Sequence, residues 1–199
     1  MEPIFAAGNG YDAVNATNGD FWVFAYGSLM WRPGFEYVEA RSALLRGYHR
    51  EFCVYSHRHR GTPQKPGLVL GLDRGGCCRG LAFRVAAAEV EAVMIYLAER
   101  EMVNNTYEPR TLPAETEGGR LPVYAFVVRR DHPQYAGKLA VTEAATLIVQ
   151  GEGISGLNRD YLINTVRRLE SLGFIDKRLH ALLTEVKRMT GEIERGSGI

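Results

Sequence analysis

The chain has 199 residues, 24 Lys and Arg against 23 Asp and Glu, and a net charge of +1. That balance supplies no global field to draw it to nucleic acid or to a membrane surface. Hydrophobic content of 46% with 24% charged residues is ordinary for a globular protein, and no apolar run approaches the length of a membrane span.

Residues 1–20 (MEPIFAAGNGYDAVNATNGD) are small, polar and rich in Gly and Asn, and read as a poorly ordered lead-in without the basic start and apolar core of a signal peptide. A single domain is expected over 21–195. Phe21–Ala25 is the first strand, and Pro33 and Gly34 break the chain after it. A long β-rich stretch follows from Leu44 to Ser56, with Gly47 suggesting a bulge. The segment 61–67 (GTPQKPG) is a loop. Strands are expected at Leu68–Leu72 and Leu81–Val85, separated by a turn at Gly75-Gly76. A helix from Ala86 to Met102, a polar loop from Val103 to Arg120 and a strong strand from Val123 to Arg129 come next. Three helices close the chain: Thr142–Gln150, Arg159–Leu172 stopped by Gly173, and Lys177–Ile193 with Leu179, Leu182, Leu183, Val186, Met189 and Ile193 inward. There is no βαβ alternation and no repeat. The fold class is α+β, with a small curved or barrel-like sheet flanked by helices and a helical C-terminus.

Two places on this chain carry chemistry. The first is Tyr26-Gly27-Ser28-Leu29, where the apolar run of the first strand stops in Gly-Ser. Such a stop presents bare backbone amides to a small anionic or carbonyl ligand. The second is Glu101. At about 100° per residue, Val90, Val93, Met94 and Leu97 form one apolar stripe of their helix. Glu101 continues that stripe, while Glu99 points the opposite way. It also falls at the helix's C-terminal end, where the last carbonyls disfavour an anion. Partial burial and the dipole both raise a carboxyl pKa, which is what a general acid and base needs. The plainer alternative is a helix-end Glu that reaches water or pairs with Arg100 or Arg110.

Other signals carry less. Gly151-Glu152-Gly153-Ile154-Ser155-Gly156 satisfies the dinucleotide pattern, but two helices follow it where further βαβ units belong. It reads as a tight loop feeding the next helix, with Asn158 as N-cap, a helix start that could also hold an anion. His57-Arg58-His59-Arg60 is a basic cluster, read as a strand end with solvated charges or as a source of one Arg for a substrate carboxylate. His57 and His59 lack a third ligand at metal spacing. Cys53, Cys77 and Cys78, an odd number, form no disulfide framework. They read as buried small hydrophobes in a reduced cytosolic setting. Ser28 has no evident His partner, so binding suits it better than nucleophilic attack.

Five stretches, in order, resemble the ChaC-type γ-glutamylcyclotransferases, which act on glutathione. Phe21-Trp22-Val23-Phe24-Ala25-Tyr26-Gly27-Ser28-Leu29-Met30-Trp31 is similar to that family's start. His59-Arg60-Gly61 with Lys65-Pro66-Gly67 matches its His-Arg-Gly and Lys-Pro-Gly loop. Gly80-Leu81-Ala82-Phe83-Arg84 matches a strand. Tyr96-Leu97-Ala98-Glu99-Arg100-Glu101 matches the stretch bearing its catalytic glutamate, and Ser155-Gly156-Leu157-Asn158-Arg159-Asp160-Tyr161-Leu162 its Ser-Gly-x-Asn-x-x-Tyr-Leu segment. The chain departs from the pattern after Glu101, where Met102 replaces a frequent Lys and a longer link, Val103-Asn104-Asn105-Thr106, precedes Tyr107.

The resemblance implies a small barrel-like sheet flanked by helices and a lyase reaction. The substrate's α-amine attacks its own γ-carbonyl, 5-oxoproline forms, and cysteinylglycine leaves if glutathione is the substrate. No water, metal or cofactor is required. The resemblance implies Glu101 as the proton carrier. Tyr26, Gly27, Ser28 and Leu29 would bind the α-carboxylate or the oxyanion, with Arg60, Ser155 and Tyr161 as further substrate-binding candidates. A cyclotransferase for other γ-glutamyl compounds, or a non-catalytic binding module, would keep the same residues.

Overall fold

A computed structural model describes residues 21–192, so the expectations for residues 1–20 and for Ile193 lie outside the described residues. The chain divides into two compact units. Among the described residues, one contains residues 21–50 together with Leu72–Arg129, and the other contains Glu51–Gly71 together with residues 130–192.

Five strands form a closed barrel: β1 (Phe21–Ala25), β2 (Glu39–Ser56), β3 (Gly67–Val85), β4 (Tyr107–Thr116) and β5 (Gly119–Val128), in spatial order β1-β3-β2-β4-β5. Every residue of β1 is buried, as its unbroken apolar run requires of a strand covered on both faces. It pairs antiparallel with β3, from Phe21 opposite Val85 to Ala25 opposite Leu81. Its other neighbour is β5, alongside it in parallel with Val23 opposite Tyr124. Phe24, Phe83, Phe126, Leu45, Leu72 and Leu97 are among the largest wholly buried side chains of the first unit.

Two sequence expectations change here. The Gly75-Gly76 turn does not reverse the chain: β3 runs through it as one 19-residue strand. Both glycines have positive φ, and Arg74 to Cys77 are exposed, so the strand bends at an outward-facing stretch while its flanks stay paired with β1 and β2. The polar stretch 103–120 is mostly strand. Its β4 forms a full antiparallel ladder with β5, from Tyr107 opposite Val128 to Thr116 opposite Gly119. Pro109 and Pro113 hid it. Pro113 faces Pro122, and two residues without N–H groups can oppose each other only at a non-hydrogen-bonded pair. Pro109 lies four residues away, in the same phase of the ladder, so neither proline costs a bond to β5.

Among the described residues the first unit has one α-helix, α1 (Val90–Glu101), preceded by a 3₁₀ turn at Ala87–Glu89. The helix thus starts a turn later than its Ala-rich sequence suggested. Val93, Met94 and Leu97 are buried and Glu99 is exposed, as the periodicity required.

The second unit holds α2 (Val141–Gln150), a two-stranded hairpin of β6 (Glu152–Gly153) and β7 (Gly156–Leu157), α3 (Asn158–Ser171) and α4 (Lys177–Thr190). Gly173 takes φ 72° directly after α3, and the bonds Gly173 N–H to the Glu170 carbonyl and Phe174 N–H to the Leu169 carbonyl complete a Schellman stop. Helix α4 buries Leu179, Leu182 and Val186, but Met189 is 39% exposed, one turn too late to reach the core. Of the cysteines, Cys53 and Cys78 are buried as expected. Cys77 is exposed, because alternation along β3 sends neighbouring side chains to opposite faces.

Asn158 is not an N-cap. Leu157 holds that position, and Asn158 is the first residue of α3 with no exposed surface at all. Its carboxamide accepts from the Leu68 N–H at 2.6 Å and donates to the Leu68 carbonyl at 2.7 Å. The side chain thus takes the place of a neighbouring strand on β3. The glycines of the dinucleotide-like motif serve a close approach of the same kind. A Cβ on Gly153 would stand 2.3 Å from the Arg58 carbonyl, and one on Gly151 would stand 2.5 Å from the Arg60 carbonyl. They let the hairpin lie backbone to backbone on the 58–60 segment rather than cradle a phosphate.

Candidate active site

In the first unit the chain leaves β1 at Ala25 and winds into one 3₁₀ turn, Ser28–Met30. The turn is fixed at Tyr26, the residue that leads into it. The Tyr26 hydroxyl donates to the Phe126 carbonyl at 3.0 Å, and the Tyr26 carbonyl accepts from Nη1 of the buried Arg50 at 2.8 Å. Leu29 and Met30 are buried beneath it. The bonds that close the turn use the amides of Met30, Trp31 and Arg32. Those of Gly27, Ser28 and Leu29 precede the first such bond, the position at which a helical turn leaves N–H groups without internal partners.

Glu101 is the last residue of α1, with its side chain 18% exposed. Burial pushes its carboxyl above the usual carboxylate range, and the charge and hydrogen bond of Arg100 work against that rise. The contact is Arg100 Nε to Glu101 Oε1 at 3.1 Å. Both sequence readings of Glu101 therefore hold together: it pairs with Arg100, and it is still raised. Arg110, the other partner considered, pairs with Glu108 at 2.6 Å instead.

Arg100 also reaches the turn. Its Nη2 donates to Ser28 Oγ at 2.9 Å, and its Nη1 donates to the Tyr96 hydroxyl at 2.7 Å and to the Arg32 carbonyl at 2.8 Å. One guanidinium thus touches both the inward-facing acid and the Gly-Ser turn, which places the two sequence-predicted elements side by side. Ser28 accepts from a group with no lone pair to take its proton, the opposite of what a nucleophile's activation needs. The role of Arg100 was missed in the sequence because an Arg beside a Glu in a helix reads as a solvated pair. The signal was its spacing from Tyr96, four residues and one turn earlier.

The remaining candidates gather in the second unit. Arg60 Nη1 donates to the Leu157 carbonyl at 2.9 Å, and its guanidinium lies 5.5 Å from the centroid of the Tyr161 ring. Ser155 Oγ is 3.0 Å from His59 Nδ1, and the Ser155 N–H donates to the His59 carbonyl. Tyr161 is buried edge-on against Phe52. Arg60, Ser155 and Tyr161 therefore do sit together, and Arg60 ties down its loop. His57 stacks on Tyr55. Among the described residues no three His, Cys, Asp or Glu side chains converge as a metal site. No helix there is long and apolar enough to cross a membrane.

A closed five-stranded barrel of an α+β fold thus carries, at the end of α1, a carboxyl raised by burial beside a 3₁₀ turn. A family model described as ChaC-like protein matches residues 21–189. The chain is 34% identical over 181 residues to the glutathione-specific γ-glutamylcyclotransferase of Escherichia coli, covering 90% of this chain and 78% of that one. It is 34% identical over 175 residues to human glutathione-specific γ-glutamylcyclotransferase 1, covering 84% and 79%. A crystal structure of a γ-glutamyl cyclotransferase specific to glutathione from yeast superposes with a TM-score of 0.81 at 22% identity, over 89% of this chain and all of that one, and shares the fold. This chain belongs to the ChaC-like family.

Proposed function

We propose that this chain is a lyase that cleaves glutathione into 5-oxoproline and cysteinylglycine, with Glu101 as proton carrier. The observation that carries the reading is the half-buried Glu101 carboxyl, raised by burial and held beside the Tyr26–Leu29 turn by one guanidinium. Glu101 takes a proton from the substrate's α-ammonium. The freed amine attacks the γ-carbonyl carbon, a C–N bond forms, and the carbonyl oxygen becomes an oxyanion. A second proton leaves the new ring nitrogen as the old C–N bond breaks. Two protons in all leave the α-nitrogen and two arrive at the departing amine, relayed one at a time by Glu101. Attack is intramolecular, so holding the γ-glutamyl arm folded removes much of the entropic barrier. The amides of Tyr26, Gly27, Ser28 and Leu29 bind the α-carboxylate or the oxyanion. Arg60, Ser155 and Tyr161 are the further substrate-binding residues of this reading. The sum of the reaction is redox-neutral and consumes no co-substrate.

The partner is a small molecule, neither nucleic acid nor membrane, in keeping with the near-zero net charge. Three free cysteines, one of them exposed, suit a reducing cytoplasm.

Incubation of the purified chain with glutathione, followed by chromatography, tests this directly. 5-oxoproline and cysteinylglycine are expected in equal amounts. Release from other γ-glutamyl amines but not from glutathione would move the substrate, and release from neither would sink the enzyme assignment. Ser28→Ala is expected to cost about tenfold in kcat/KM, the worth of one charged hydrogen bond, because the backbone amide survives the change. A loss as deep as that of a Glu101 substitution would instead make the Ser28 hydroxyl a nucleophile.

A further inference from the structure

We propose that Arg100 is a positioning residue of this reaction: its guanidinium fixes where the Glu101 carboxyl stands relative to the Tyr26–Leu29 turn. The proposal rests on the reading of Glu101 as proton carrier. The three guanidinium nitrogens join two pieces of chain, helix α1 and the segment 28–33. Nε holds Glu101 Oε1, Nη2 holds Ser28 Oγ, and Nη1 holds the Tyr96 hydroxyl and the Arg32 and Pro33 carbonyls. Arginine suits this task because its donors lie in one rigid plane, whereas the single ammonium of lysine cannot face all three directions.

Among the described residues Arg100 is the partner of the Glu101 carboxyl, through Nε to Oε1 at 3.1 Å. No other ionisable side chain there acts on the Glu101 carboxyl: Glu99 is turned to solvent, and Glu108 and Arg110 on β4 pair with each other. A support stands behind the guanidinium. Gly34 has φ 76°, and a Cβ on it would lie 2.0 Å from the Tyr96 hydroxyl oxygen. Any larger residue there displaces Tyr96, and with it one anchor of Arg100, without touching Glu101 or Ser28.

A structural bolt and a positioning residue make different predictions. The test is glutathione kinetics across pH for Arg100→Met, Arg100→Lys and Gly34→Ala. Thermal melts and a ¹³C-carboxyl NMR titration of Glu101 in the ligand-free protein accompany it. Arg100→Met is expected to lower kcat about a hundredfold with little change in KM, the cost of misplacing a reacting group by about 1 Å. Its acid limb moves to higher pH, since loss of the neighbouring cation makes the carboxyl harder to ionise. Arg100→Lys keeps the acid limb near its original pH but does not recover kcat. Gly34→Ala lowers kcat in the same direction with little change in KM. A folded Arg100→Met with kcat and acid limb within about twofold and a few tenths of a pH unit of the parent overturns the proposal. So does full recovery of kcat by Arg100→Lys. If Arg100→Met does not fold, the kcat values of Arg100→Lys and Gly34→Ala decide. If the parent chain does not turn over glutathione, the functional reading fails separately. The Glu101 titration then decides this one: an upward shift in Arg100→Met, or in Gly34→Ala if that variant alone folds, supports it, and no shift overturns it.

Discussion

Glu101→Gln is expected to lower the rate of 5-oxoproline release from glutathione by about 10³-fold, the range over which a positioned acid–base group acts. The amide keeps the size of the side chain and can still accept from Arg100 Nε, so only the capacity to carry a proton is removed. The same substitution separates catalysis from stability. The Glu101 carboxyl is raised in the folded chain, chiefly by burial and in spite of Arg100. Folding therefore favours its protonated form. The stability it contributes is fully present below the ordinary pKa of a glutamate, about 4.3. That contribution is lost as pH rises through the folded pKa. Wherever the carboxyl is ionised, its burial is a cost that glutamine does not carry. Glu101→Gln should thus melt at or above the parent's temperature at pH 7, with the difference shrinking on acidification. Turnover within about tenfold of the parent in a folded Glu101→Gln chain would remove Glu101 from the mechanism.

Asn158→Ala should show the largest loss of stability. The side chain is wholly buried and meets both polar groups of Leu68, one N–H and one carbonyl. Alanine leaves both without a partner in a dry place, at about 1–3 kcal/mol for each. A total near 4 kcal/mol is a large share of the roughly 5–15 kcal/mol that holds a domain folded. It would lower the melting temperature by about 10 °C in a chain of this length. A urea midpoint within about 0.5 M of the parent's would show that water or a shifted backbone replaces the carboxamide. Asn158→Asp makes a useful companion. It keeps an acceptor for the Leu68 N–H but sets a buried carboxylate against the Leu68 carbonyl, so it should be no better tolerated.

The two ends of the catalytic proposal were readable in the letters because each rests on a strong local rule. An all-apolar pentapeptide stopping at Gly-Ser must be a buried strand that opens into a turn, and β1 with its 3₁₀ turn is that. A carboxylate in phase with Val93, Met94 and Leu97 must face inward, and Glu101 does. The α+β barrel class was likewise readable from the spread of strands and the absence of βαβ alternation. What escaped depended on partners far along the chain. Strand β4 looks like a loop until Pro113 is seen opposite Pro122. Asn158 looks like a cap until Leu68, 90 residues earlier, is beside it. Arg100 looks like surface charge until Ser28 is 2.9 Å from it. Side-chain periodicity registers burial, not which distant atom a donor will find.

Closure of the barrel through Val23 and Tyr124 has a consequence for how the protein is made. The earliest described strand cannot acquire its second neighbour until some hundred further residues have left the ribosome. Until then the hydroxyl of Tyr26 has no Phe126 carbonyl to donate to, and the bend lacks one of its anchors. Nascent or truncated chains ending before β5 should therefore be catalytically silent, and competence should arrive in one step with the final zippering of the sheet.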